Sequence, residues 1–596
     1  MRSFDTQLPS ADDIRLSLRL ILDSPTFRNS ARLSRFLRFI VEQTLDNPRQ
    51  GLKESVVGFQ VFDRPPDYDP KLDSIVRVQA RQLRAKLQEY YSGQGVQDQI
   101  RFELPKGAYT PVIRIVAPTT TPATAASPEA WNPIADLAVL PFANMSSDPE
   151  NDHLSDGISE EILTALAQVR GLRLIARTSS FQFKGRNQDV RDIARQLGAR
   201  NILEGSLRRL GSHLRITAQL ITGMDGTHLW AEAFDAMLTE PAQLFAIQEN
   251  IAREISQRLG KVAMPAAPAE TAGLPSRVSS YEMHLRARHW LRELKPDMVF
   301  KAIALLEQVI VDDPNYAAAY ATLGACYGHL GLFGGPAGLG AAAKVKYYAT
   351  EAIRRDPRLA DGHILLGNAA SALELDLASA RTHYERALEL DPQNAYARQC
   401  RAMWLLGPTG ETEQAVSEIE DLLQLDPLSP ELRHTYLSVL TFARRFGKVI
   451  EQASLLIQWM PQSFAAYFQR SLAYEALGDT ERALADTKAE AKCLPGMLIE
   501  EHVSALELHG AGRHSEAIAI AKQMEQDPRA RFLPTVLADL WRKLGDPERA
   551  ITWLEKAYEW RTFRVLWLGV DATYDSLRGM ERFEALRRKV LGDSSL

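Results

Sequence analysis

Seven prolines close similar apolar segments in the C-terminal half of this 596-residue chain: Pro314, Pro357, Pro392, Pro427, Pro461, Pro495 and Pro528, spaced 43, 35, 35, 34, 34 and 33 apart. No other feature constrains the fold as strongly. A unit with this period holds one pair of helices and cannot bury its apolar face alone, so stacking of neighbours must supply the core. The one long spacing is explained by a glycine-rich insertion, GLFGGPAGLG, at residues 331–340.

Inside the units the packing residues recur at set places. Tyr320, Leu323, Gly324 and Tyr327 fall on the first helix of a unit, and Ala550, Leu554 and Ala557 on a second helix. This pattern resembles the tetratricopeptide repeat, with about eight copies and a helical tail, MERFEALRRKVLG, expected to cap the stack. The resemblance implies an α-solenoid whose curved inner surface takes a protein or peptide partner. A purely structural spacer is the plain alternative.

Two stretches rich in Pro, Ala, Thr and Ser, VAPTTTPATAASPEAWNPI and VAMPAAPAETAGLPS, carry too little apolar mass to join a core. Read as linkers at 117–134 and 262–276, they divide the chain into units at 1–116, 135–261 and 277–596. In the middle unit LAVLPF (137–142) and LRLIART (172–178) read as strands, and ISEEILTALAQV (158–169) and DVRDIARQLG (189–198) as helices. Strands at 201–209, 213–222 and 227–235 follow, then a closing helix, FAIQENIAREISQRL. The order implies a small α/β sandwich, so the fold class is multidomain α plus α/β.

The first unit reads as helices near 11–23, 31–45, 53–60 and 73–91, then a short hairpin in IRFELPKGAYTPVI. It is also the basic end. Residues 1–116 hold 18 Lys plus Arg against 14 Asp plus Glu, a charge of +4 within a chain of net −5. In SIVRVQARQLRAKL, residues 74–87, Val76, Ala80, Leu83, Leu87 and Tyr90 line one face of a helix. Arg77, Arg81 and Arg84 line another, roughly 100° away. Helices, then a basic helix, then a hairpin is the order of a winged helix, which places its last helix in the major groove of double-stranded DNA. Arginine suits guanine edges and phosphates alike. A solvated face that only keeps the unit soluble is the bland reading.

VRVQARQLRAKL is similar to the recognition helix of OmpR-type and CadC-type winged-helix regulators over about 60 residues, and KGAY (106–109) to the Gly and Tyr that close their wing. This implies DNA contacts from Arg77, Arg81, Arg84 and Lys86 on the helix and from Arg101 and Lys106 near the wing. The chain departs from those regulators in having helices where they carry an N-terminal four-stranded sheet. The middle unit resembles the TolB-like, FlgO-related module through LAVLPFANMSSDPENDHLSDGISEEILTAL, RLIARTSSFQFKG, ILEGSLRRLGSHLRITAQLI and THLWAEAFD. That resemblance implies a non-catalytic binding or signalling unit. Such modules occur behind winged helices and behind nucleotide cyclase domains, but nothing ahead of residue 135 resembles a cyclase domain.

Chemistry finds little anchor. Asp148, Glu150, Asp152, His153, Asp156, Glu160 and Glu161 cluster before a helix, where acids are favourable through the helix dipole without any metal. GGPAGLGAAAK lacks the GK[ST] of a phosphate loop, and no HExxH or GxSxG motif occurs. His228 and Trp230 read as packing residues. Cys326, Cys400 and Cys493 lie far apart and suit a reducing compartment. With no signal-peptide or membrane segment, the expectation is a cytoplasmic regulator without catalytic residues, cofactor or metal, which binds DNA at one end and senses a protein or ligand at the other. A scaffold that never meets DNA is the alternative, kept open by Asp67, Asp69 and Asp73. No heptads set an oligomeric state.

Overall fold

The computed structural model describes residues 11–28, 30–46, 52–62, 64–65, 75–92, 95, 98, 100–105, 109–115, 133–186, 188–261, 273–293, 295–333 and 338–592. The chain divides into two compact units, Met1–Glu129 and Ala130–Leu596.

Among the described residues, the first unit packs five helices, α1 (Ala11–Asp23), α2 (Pro25–Arg28), α3 (Ala31–Asp46), α4 (Glu54–Phe62) and α5 (Ile75–Ser92), against an antiparallel pair, β1 (Ile100–Glu103) and β2 (Val112–Ile115). Its core is built from Ile21, Phe27, Phe36, Leu37, Ile40 and Val57, joined by the stripe of α5, where Val76, Ala80, Leu83, Leu87 and Tyr90 are all buried. Phe102 brings the hairpin into that core. The expected wing-closing turn at 106–108 lies outside the described residues, and Tyr109 beside it packs on the core.

The second unit begins with a six-stranded sheet. β3 (Ala135–Val139) pairs in parallel with β5 (Leu174–Ile175) and β6 (Ala199–Leu210), and β4 (Ala143–Asn144) also pairs with β6. β7 (His213–Thr222) and β8 (His228–Met237) continue it antiparallel, giving the order β5-β3-β6-β7-β8. The helices are α6 (Asp152–Ala167), α7 (Arg177–Phe181), α8 (Val190–Leu197) and α9 (Pro241–Arg258). α8 is bounded as its sequence demands, by Asp189 accepting from the Arg191 amide and by Gly198 in the left-handed conformation.

Three expectations for this region need correction. The predicted strand at 172–178 ends after Ile175, and Arg177–Phe181 is helical, because a carboxylate far along the chain caps it, as described below. α6 starts at Asp152, six residues ahead of the predicted 158. Its polar first turns are stitched to the end of the neighbouring strand, with the Ser155 hydroxyl donating to Phe142 O at 2.7 Å and Phe142 N donating to Ser159 Oγ at 2.9 Å. The strand end therefore holds residues that a hydropathy pattern reads as loop. His228 is exposed at the start of β8 rather than packed, while Trp230 is 8% exposed.

Eight helix pairs follow among the described residues. They are Val278–Arg292 with Pro296–Asp312, Ala317–Phe333 with Ala341–Arg355, and Ala360–Asn368, extended by the wider turn Ala369–Glu374, with Leu377–Leu390. The fourth joins Ala395–Arg401 and its wider turn Ala402–Leu406 to Thr412–Leu425. The remaining pairs are Pro430–Phe442 with Phe446–Trp459, Phe464–Ala476 with Thr480–Cys493, Ile499–Gly510 with His514–Gln526, and Pro534–Lys543 with Pro547–Glu559. Small residues sit where helices approach closest. Gly324, Ala349, Ala380, Ala387, Ala453, Ala521 and Ala550 are buried, and a Cβ at Gly324 would come within 3.1 Å of Leu365. The tail helix Glu581–Leu591 buries Phe583, Leu586 and Val590.

Candidate nucleic-acid interface and repeat array

On α5 the face away from the core presents Arg77, Val78 and Gln82 to solvent, with Val78 46% exposed. Glu54 at the start of α4 lies 3.3 Å from Arg77 Nε, so this arginine is partly balanced, and its side chain is 52% exposed. The side chain of Arg81, grouped with Arg77 by helical spacing, lies outside the described ones. Arg84 points elsewhere. Its guanidinium donates to Leu104 O at 2.8 Å and Pro105 O at 2.9 Å, tying α5 to the chain just after β1. A planar fork sends two N–H groups in fixed directions to two carbonyls, a geometry the single nitrogen of lysine does not reproduce. Arg101 on β1 lies 5.4 Å over the Tyr91 ring, and the Phe102 amide donates to Tyr91 Oη at 2.7 Å, so hairpin and helix are fastened at both ends. Lys86 is half-buried. Lys106, Asp67, Asp69 and Asp73 lie outside the described residues.

The acidic cluster of the α/β module serves its join to the repeats. Glu160 of α6 is bonded by Arg288 and Arg292 of the first helix pair and lies 3.2 Å from Arg177 of α7, while Arg288 also donates to Glu161 at 2.8 Å. Burial pushes the Glu160 carboxyl up, but Arg288, Arg292 and Arg177 outweigh it and hold the group down at about 2. Asp156 takes Lys184 at 2.7 Å. Gly157 lets α6 meet the first pair, since a Cβ there would fall 2.5 Å from Leu285. No group of three or more potential metal ligands occurs among the described residues.

A second join lies far along the solenoid. Asp426, the residue before Pro427, accepts from the Ser179 amide at 2.9 Å and from its hydroxyl at 2.5 Å. Ser179 Oγ in turn accepts from Leu428 N at 2.8 Å, and Ala176 N donates to Leu425 O at 2.8 Å. Ser179 and Asp426 are buried, and burial raises the Asp426 pKa, with the Ser179 bonds opposing it. A carboxylate 247 residues away thus satisfies the free amide at the start of α7. The module is fixed to the first helix pair and to the corner between the fourth and fifth. The sequence holds no sign of either join, because each partner belongs to an ordinary-looking helix or turn.

Residues 535–562 of the last helix pair match the sequence model of the tetratricopeptide repeat, and the chain's second unit carries a helix-pair array of this type. Among curated proteins, the chain is 41% identical over 189 residues to Putative adenylate cyclase 3 of Rhizobium meliloti, covering 31% of this chain and 32% of that one. It is 24% identical over 312 residues to the Transcriptional regulator HilA of Salmonella typhimurium, covering 51% and 54%. The chain therefore spans about a third to about half the length of these relatives. Among solved structures it is similar to a tetratricopeptide repeat protein from Parabacteroides merdae, at 15% identity and a TM-score of 0.33, covering 45% of this chain and 99% of that one. It is also similar to YrrB, described as a TPR protein with an unusual peptide-binding site, at 15% identity and a TM-score of 0.25, covering 33% and 97%. No helix among the described residues is long and apolar enough to cross a membrane.

Proposed function

We propose that this chain is a cytoplasmic regulator that binds double-stranded DNA through residues 1–116 and receives a protein signal through its TolB-like module and tetratricopeptide array. It acts by binding, without catalysis or cofactor. The observation that carries the reading is the two-sided helix α5, whose apolar stripe is wholly buried while Arg77, Val78 and Gln82 face outward beside a hairpin. Arg77, Arg81 and Lys86 contact the duplex. Arg84 positions the hairpin from which Arg101 and Lys106 reach the backbone. The partial likeness to a transcriptional regulator supports this reading. The likeness to a putative cyclase falls on only 31% of the chain.

The test is fluorescence anisotropy of the full chain on random and genomic duplexes across a salt series. With about three to five phosphates neutralised, log K falls against log salt with a slope of roughly −3 to −5. An undetectable or salt-independent interaction refutes the DNA reading and leaves the scaffold, in which the first unit docks another protein.

A further inference from the structure

The chain beyond the last helix pair does not run off the end of the solenoid. Arg561 takes a left-handed φ of 56°, and Thr562 N donates to Ala557 O at 2.9 Å, which turns the backbone out of the helix Pro547–Glu559. Phe563–Gly569 then forms a tight 3-10 turn in which Val565, Leu566 and Leu568 are fully buried and Trp567 is 6% exposed. Trp567 stacks on Trp404, with ring centroids 6.3 Å apart and planes 14° from parallel, and packs on Phe442 at 5.2 Å. Phe563 sets its edge on Trp404 at 5.6 Å and meets Phe333 at 6.4 Å, while Arg564 lies 4.3 Å over the Phe468 ring. Two polar ties hold the ends: Arg561 donates to Glu374 O at 2.9 Å, and Arg444 grips Asp575 through two bonds of 2.7 Å.

These residues come from five successive helix pairs, the second to the sixth, and each lies in or just beyond the first helix of its pair. Capping the end of the stack does not need this. The helix Glu581–Leu591 already covers the last pair, with Arg582 bonded to Glu548 and Glu555 at 2.7 Å each. A short segment that reaches back across five repeats, inserting one large side chain after another between their first helices, makes the contacts of a bound peptide.

We propose that the face formed by the first helices of pairs two to six is a peptide-binding groove filled in cis by residues 562–577. The partner it fits is a segment of the same make: a tight turn with one tryptophan flanked by aliphatic residues, preceded by Phe-Arg, and with a carboxylate placed for Arg444. The proposal rests on the repeats being a protein-binding array and is independent of DNA contact.

The test is anisotropy of a fluorescein-labelled peptide of residues 562–577 against the full chain and two full-chain variants. Asp575→Ala releases the surface grip of Arg444, and Trp567→Ala removes the central anchor. We expect the unaltered chain to bind the peptide weakly, each variant to bind it at least about tenfold tighter, and a peptide carrying Trp567→Ala to bind none of them. Asp575 is half-buried at the rim, so this variant keeps the test decisive if Trp567→Ala does not fold. Folded variants, by unchanged circular dichroism, that bind no tighter than the unaltered chain overturn the proposal. So does tight binding to the unaltered chain itself. Duplex affinity measured on the same samples separates this outcome from failure of the DNA reading.

Discussion

Glutamate 160 is the most exposed to test of the buried contacts, because one carboxylate serves three arginines. Its side chain is 12% exposed, and those of Arg177 and Arg288 are 21% and 23%. Removing it leaves cations in a poorly solvated join without their counter-ion, and breaking a buried ion pair from one side costs about 3–5 kcal/mol. Linkage gives a figure of the same size. A carboxylate held at about 2 against an ordinary value of 4.5 contributes about 3 kcal/mol to the folded state at neutral pH. Since the folded-state value is the depressed one, this stabilisation is complete above the unfolded value and is lost as pH falls from about 4.5 towards about 2. Glu160→Gln, which keeps shape and removes charge, should therefore shift the urea midpoint of the second unit strongly at pH 7. The gap between variant and parent should shrink below pH 4.5 and nearly close by pH 2. Hydrogen exchange localises the effect: amides of the helix Val278–Arg292 and of α7 should lose protection ahead of those in the seventh and eighth pairs. A double-mutant cycle with Arg292→Gln should show a coupling of about 1–3 kcal/mol. A Glu160→Gln chain that melts within about 0.5 kcal/mol of the parent, or a gap that does not change with pH, refutes the reasoning.

Ser179→Ala removes both a donor to Asp426 and the acceptor for Leu428 N, and should cost about 1–3 kcal/mol, read as faster exchange of the Leu428 amide with the first-pair join intact. Gly157→Ala pushes a methyl into Leu285 and should destabilise by about 1–3 kcal/mol, seen as a lowered melting midpoint. Arg84→Ala should weaken binding on every duplex alike, since it loosens the hairpin, and Arg84→Lys should not restore it. Arg81→Ala should cost about 1–3 kcal/mol and relax preference at one base position, measured on a panel of single-substitution duplexes.

The parts of this fold that were legible in the sequence are those set by local pattern. The seven prolines mark the first seven of the eight helix pairs, because each of those second helices must end before its proline, and the apolar stripe of α5 is buried as its spacing predicts. Legibility stopped where a partner lay far off in sequence. Arg177 and Thr178 follow β-prone residues and read as strand, yet they open a helix whose Ser179 amide is bonded by a carboxylate from the fourth repeat corner. Arg288 and Arg292 sit on a helix whose pattern gives no hint that both aim at Glu160, 128 and 132 residues earlier. FRVLWLG has no helical or strand period to place it. Its one signal is composition, a dense apolar run between the last repeat and the tail helix. Arg84, grouped with Arg77 and Arg81 by spacing, turns to the backbone because its flank of α5 faces the hairpin.

A tethered occupant also dictates how a partner must compete. A segment joined to its groove by a short connection experiences an effective concentration on the order of millimolar. A free peptide making identical contacts, present at about a micromolar, would then hold roughly one groove in a thousand, and the unaltered chain would look inert to it. The buried set of Val565, Leu566, Trp567 and Leu568 keeps the cis segment seated, each apolar side chain withdrawn from water being worth about 1.5–3 kcal/mol, and since a free copy gains the same contacts the bias comes from the tether. A productive partner therefore has to add contacts the cis segment lacks, or act on the Arg444–Asp575 grip that closes the far end. That grip is exposed on both sides, so it is the part of the segment a partner can reach first, and losing it shortens the tie without disturbing the tryptophan anchor. Asp575→Ala should accordingly raise the exchange of amides at 572–577 well before those at 563–569. Equal exchange of the two stretches would mean that the segment opens as one block, and that entry begins at the anchor instead.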